Sequence, residues 1–121
     1  MKLDQLHSFL KSADGSVPKL NNQLSLLIGY TRVPNPDPSA KKKARWYDPD
    51  GNEVTAIPDY TGSIDAARIF LEALVPVQTA GFAERHDGVF AQVNEEAPVQ
   101  GSTPALAMCL AGLSWRLARG G

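Results

Sequence analysis

Apolar positions recur along the chain with two periods. Leu3, Leu6, Phe9 and Leu10 stand at helical spacing and predict a first helix. "ADG", Ala13 to Gly15, ends it, with Gly15 as the C′ residue. Leu20, Leu24, Leu27 and Ile28 predict a second helix, with Ser16 as its N-cap, Pro18 in its first turn and Gly29 at its end. The two form a helical hairpin. Ile64, Ala67, Leu71 and Leu74 mark a third helix that Pro76 stops. Its entry is "PDYTGSID": Ser63 caps it by accepting from the N–H of Asp65 or Ala66, and Asp65 sits where the helix dipole favours an anion. A last helix is capped by Thr103, starts at Pro104 and carries Leu106, Leu110, Leu113 and Leu117. Alanine, Met108 and Cys109 fill its other positions, so it is wrapped on more than one side. Arg116 and Arg119 complement its C-terminal dipole.

Period-two alternation predicts two hairpins. Trp46 and Tyr47 begin one strand, and Val54, Thr55 and Ile57 continue in the next, across the turn residues "DPDGN". Val77, Thr79, Gly81 and Ala83 share one parity, and Val89, Ala91 and Val93 share one on the partner strand. Phe82 and Phe90 both take the other parity, and Asp87-Gly88 is a type I′ turn candidate. Between the helical hairpin and the first strands lies "VPNPDPSAKKKA", residues 33–44. Its prolines Pro34, Pro36 and Pro38 forbid helix and interrupt a ladder, so it reads as an extended surface loop. The expected order is α-α-β-β-α-β-β-α. This is an α+β fold with a mostly antiparallel sheet of about four strands, covered by helices.

With 121 residues there is room for one domain, residues 1–121, and one modest core. A net charge of −1 gives no global attraction to nucleic acid, which is not the expected partner. The local exception is "KKKAR", Lys41 to Arg45, read as a solvated loop. The single cysteine, Cys109, forms no intramolecular disulfide and fits a reducing cytoplasm. No run of about 18 apolar residues is present, and no membrane span is expected.

Candidate chemistry is sparse. His7 is placed near the exposed side of the first helix and His86 in a hairpin turn, with no ligand set around either, so no metal is expected. Asp48 and Asp50 read as turn residues, Glu95 and Glu96 as solvated, and Cys109 as a buried small hydrophobe. Trp46, Tyr47, Phe82, Phe90 and Trp115 read as core aromatics. No nucleophile elbow and no glycine-rich phosphate loop is present. No catalytic residue and no cofactor is predicted.

Three segments in order, "LDQLHSFLKSADGSVPKLNNQLSLLIGY", "PDYTGSIDAARIFL" and "STPALAMCLAGLSWRLA", separated by an aromatic hairpin, resemble the phage α/β/α-sandwich domain family of small phage and prophage proteins. The long loop "VPNPDPSAKKKAR" departs from that pattern. The resemblance implies a three-layer sandwich and a phage origin, with the cytoplasm of the bacterial host as its location. It implies no reaction.

The leading expectation is a non-enzymatic accessory protein that binds a host or phage protein, as an inhibitor of a host defence system in one form. Lys41, Lys42, Lys43, Arg45 and Trp46 are the candidate partner contacts, and a homodimer is allowed. The alternative is a small-ligand protein that holds a nucleotide-like molecule with Tyr60, Thr61 and Ser63 and cations of the basic loop, although Asp59 and Asp65 would repel an anion there. A third reading, a hydrolase, needs a histidine beside a carboxylate and a nucleophile in one cleft.

Overall fold

The computed structural model describes residues 1–120. Its four helices are α1 (Leu3–Ser12), α2 (Pro18–Leu27), α3 (Ile64–Leu74) and α4 (Pro104–Ala118). Its six strands are β1 (Thr31–Pro34), β2 (Ala44–Tyr47), β3 (Glu53–Val54), β4 (Ala80–Arg85), β5 (Gly88–Val93) and β6 (Val99–Gly101). They form two antiparallel sheets of three strands, β1-β2-β3 and β4-β5-β6.

The α+β class stands, but the single four-stranded sheet does not. Two strands escaped the sequence reading, and both begin or end beside proline. β1 runs through Pro34, which pairs with Ala44 at an edge where its missing N–H costs no ladder bond. β6 follows Pro98 and pairs with β5. The segment 33–44 is therefore not all loop: Val33, Pro34 and Ala44 are strand residues, and Asn35 N–H donates to the Lys43 carbonyl at 2.8 Å to close the pair. Thr55 and Ile57, expected in a strand, lie beyond the end of β3.

Helix α4 organises the core. Every residue from Ala105 to Leu113 is buried. Thr103 caps it by accepting from Leu106 N–H at 3.2 Å, with Pro104 in the first turn. It packs on α1 and α3 and on all three strands of the second sheet. Small residues let those neighbours approach closely: a Cβ on Gly112 would lie 3.2 Å from Leu71 Cδ1. The first sheet is attached elsewhere, with β1 against α2.

Several local expectations change. The N-cap of α2 is Val17, not Ser16, whose hydroxyl instead donates to Asp59. Ala13 ends α1 in an extended conformation, so Gly15 is no left-handed cap. In the second hairpin Arg85 pairs with Gly88, which makes His86-Asp87 the turn. Neither has positive φ, which excludes type I′; Gly88 takes φ 143° instead. Phe82 stands opposite Ala91, whereas Phe90 stands opposite Ala83, so the two rings occupy opposite faces rather than one. Neither is a core residue: Phe82 is 42% exposed and Phe90 half-buried, with Arg85 over its ring at 4.9 Å. The aromatic core is Tyr60 and Phe70, with ring centroids 5.6 Å apart. Trp46, Tyr47 and Trp115 are half-buried, and Phe9 of α1 is exposed.

Candidate functional site

A latch of polar side chains holds α2 to the segment before α3. Asn21 Oδ1 accepts from the N–H and the hydroxyl of Thr61, each at 2.9 Å. Val17 N–H donates to Thr61 Oγ1 at 2.8 Å. Asp59 Oδ1 takes the Ser16 hydroxyl at 2.7 Å and Asn21 Nδ2 at 2.8 Å. The Ser16 bond, foremost, holds the Asp59 carboxyl below the usual carboxylate range. Deeper in, Ser25 donates to the Tyr60 hydroxyl at 3.0 Å, and Cys109 Sγ donates to the Tyr60 carbonyl at 3.3 Å. Burial pushes the Tyr60 phenol above its usual range and the Cys109 thiol up to about 12.

This latch accounts for two of the three residues expected at a ligand. Tyr60 and Thr61 have no exposed surface. Their hydroxyls are bonded inside the protein, so a nucleotide-like ligand cannot reach them in this conformation. Ser63 caps α3 by accepting from Ala66 N–H at 3.3 Å, as expected.

The basic residues form a different feature. Strand alternation puts Ala44 and Trp46 of β2 on one face and Arg45 and Tyr47 on the other. Arg32 of β1 stands directly opposite Trp46 and shares its face. Arg32, Ala44 and Trp46, with Lys42 and Lys43, line a groove of about 440 Å³. Asn21 and Asn22 of α2 and residues 55–57 complete its walls. Lys42 Nζ donates to the Thr55 carbonyl at 3.2 Å across the groove. Its ammonium has further donors to spare.

Of the five expected partner contacts, the structure brings Lys42, Lys43 and Trp46 into one concavity. Lys41 is exposed in the loop, and Arg45 is exposed on the opposite face of the sheet. Arg32 and the two asparagines were not anticipated. Reading residues 33–44 as loop hid the one signal available: Arg32 and Trp46 share a parity only once β1 is recognised as a strand.

The cations here are not neutralised by their own chain. Among the described residues, ion pairs join Arg68 to Glu72, Arg85 to Asp87 and Arg119 to Glu96, and none uses Arg32, Lys41, Lys42, Lys43 or Arg45. Residues 31–47 hold those five cations against one acid, Asp37. Asp37 is taken up by its turn, bonded by the Ser39 hydroxyl at 2.7 Å.

The histidines lie apart from the groove. His86 is exposed in its turn. His7 is half-buried rather than on the exposed side, with Nε2 and Ser114 Oγ 3.1 Å apart across α1 and α4. Asp48 accepts from the N–H groups of Asp50 and Asn52, the turn role expected of it. Among the described residues no cluster of His, Cys, Asp or Glu could hold a metal ion, and no helix is long and apolar enough to cross a membrane.

No family model, no curated protein and no solved structure matches this chain.

Proposed function

We propose that this is a binding protein that docks an acidic partner on the groove side of β1 and β2. One observation carries the reading: Arg32, Lys42 and Lys43 line one groove and none of them forms an ion pair among the described residues, in a chain whose net charge is −1. Fixed charge of one sign around a concave surface raises the local concentration of the opposite sign and speeds association. The resemblance to phage proteins supports a host or phage macromolecule as the partner, and blocking a host defence component is one way such docking would act.

The test is a titration of isotope-labelled protein with polyanions, polyglutamate and a short single-stranded oligonucleotide. Chemical shifts are expected to move at residues 31–47 and to return as salt is added. Shifts confined to other elements, or none with either polyanion, would reject the reading.

A further inference from the structure

Charge alone does not account for the groove, because its wall also carries an indole. Trp46 is half-buried, faces the same side as Arg32, and lines the groove together with cations from the loop and amides from α2. A carboxylate-rich protein segment needs the cations and has no use for a flat apolar wall. A phosphate attached to a planar heterocycle uses both. An aromatic face beside cations is the arrangement that holds unpaired bases, the ring by stacking and the phosphates by charge. The volume, about 440 Å³, lies within the range of small-molecule sites.

The amide groups narrow this further. Both ends of the Asn21 amide are engaged, one with Thr61 and the other with Asp59. Asn22, exposed beside it, has a donor and an acceptor to offer the edge of a base. Asp59 is bonded to Asn21 and is not among the residues that line the groove. Its Oδ1 charge is directed into the Ser16 and Asn21 donors, which limits its repulsion of an anion in the groove.

We propose that this groove binds a nucleoside phosphate. The base stacks on Trp46, the phosphates meet Arg32, Lys42 and Lys43, and Asn22 contacts the base edge. This rests on the reading of the first sheet as the binding face and names the chemistry it recognises. Two sources share that chemistry, a free nucleotide and one unit of a single strand. Lys41, exposed in the loop outside the groove, is left for the neighbouring phosphate of a strand.

The experiment isolates Trp46 fluorescence with the variant Trp115→Phe. It titrates ATP, inorganic pyrophosphate, an eight-nucleotide single strand and polyglutamate. Should that variant fail to fold, the indole N–H resonance of Trp46 in the unaltered chain reports the same events. ATP or the strand is expected to quench Trp46, pyrophosphate to compete without quenching, and Arg32→Ala to weaken binding at least tenfold. Tighter binding of the strand, lost with Lys41→Ala, identifies a strand; binding of ATP insensitive to that change identifies a free nucleotide. If polyglutamate binds in a lysine-dependent way while no nucleotide or strand quenches Trp46, the nucleoside phosphate is overturned and the binding face stands. If no anion binds, both fall.

Discussion

The carbonyl oxygen of the Asn21 side chain accepts both the backbone N–H and the hydroxyl of Thr61, each at 2.9 Å. Both residues are buried, so neither donor of Thr61 has water as a substitute. Asn21→Ala strands the N–H and leaves the hydroxyl only the long contact to Asp59 Oδ1 at 3.5 Å, and is expected to cost about 2–6 kcal/mol, from about 1–3 for each buried group that loses its partner. Asn22→Ala, one residue on and exposed, should stay within roughly 0.5 kcal/mol of the parent. Urea midpoints of the two variants decide it. Equal midpoints would mean that the latch contributes nothing.

Gly101 of β6 faces the backbone of α4. A Cβ there would lie 2.6 Å from Ala107 N and 2.7 Å from Ala107 Cα, and a helix backbone cannot step aside as a side chain can. Gly101→Ala is therefore expected to destabilise by about 1–3 kcal/mol or more through overpacking. Gly15 has no atom within 4 Å of the corresponding position and no left-handed φ. Gly15→Ala should be neutral or stabilising by up to about 1 kcal/mol, because it restricts the unfolded chain. Thermal unfolding of the pair, one lowered and one not, is the required pattern.

His7 has its pKa lowered, chiefly by burial and secondly by the Lys11 charge. The folded protein thus prefers the neutral ring, and the unfolded chain binds more protons near pH 6.5. The contribution to stability is complete above the unfolded value and is lost as pH falls below it, through the folded pKa. His7→Gln can keep a bond to Ser114 but does not titrate. Denaturation midpoints between pH 7 and 5 should fall for the parent more than for the variant. Parallel curves would remove His7 as the cause.

Much of the helical frame was legible because capping is local chemistry. Ser63, Thr103 and Pro104 hold the positions their side chains suit, and the apolar run of α4 predicted a helix buried all round. The strands were less legible. Edge pairing tolerates Pro34, and the short β6 offers three residues of pattern, so composition concealed both. The polar stretch Tyr60 to Ser63 looked like a ligand loop because sequence does not show which hydroxyls find buried partners. Thr61 and Tyr60 do so through Asn21 and Ser25, both on a helix about forty residues earlier. The groove was half legible: the lysines were conspicuous, whereas Arg32 joins them only through the register of β1 on β2.

Cys109 lies in the middle of α4 with no exposed surface, and burial pushes its thiol up to about 12. The thiolate is the reactive form. A thiol reagent at pH 8 is expected to leave the native protein unmodified and to label one site per chain in denaturant. Rapid labelling of the native protein would show that α4 opens readily, contrary to its place at the centre of the core.

Asn94 combines two roles that substitution can separate. Its backbone is left-handed, with φ 51°. Its side chain ties the end of β5 to the exit of α3: Oδ1 accepts from Gln78 N–H at 2.7 Å and Thr79 N–H at 3.1 Å, and Nδ2 donates to the Pro76 carbonyl at 3.2 Å. Asn94→Gly keeps the conformation and loses the bonds, at an expected cost of about 1–3 kcal/mol. Asn94→Ala loses the bonds and also places a Cβ in the left-handed region, which adds about 1 kcal/mol. The ranking parent, glycine, alanine in urea midpoint follows from both effects acting together. If glycine matches the parent, the side-chain bonds carry no weight. If alanine matches glycine, the backbone conformation imposes no penalty there.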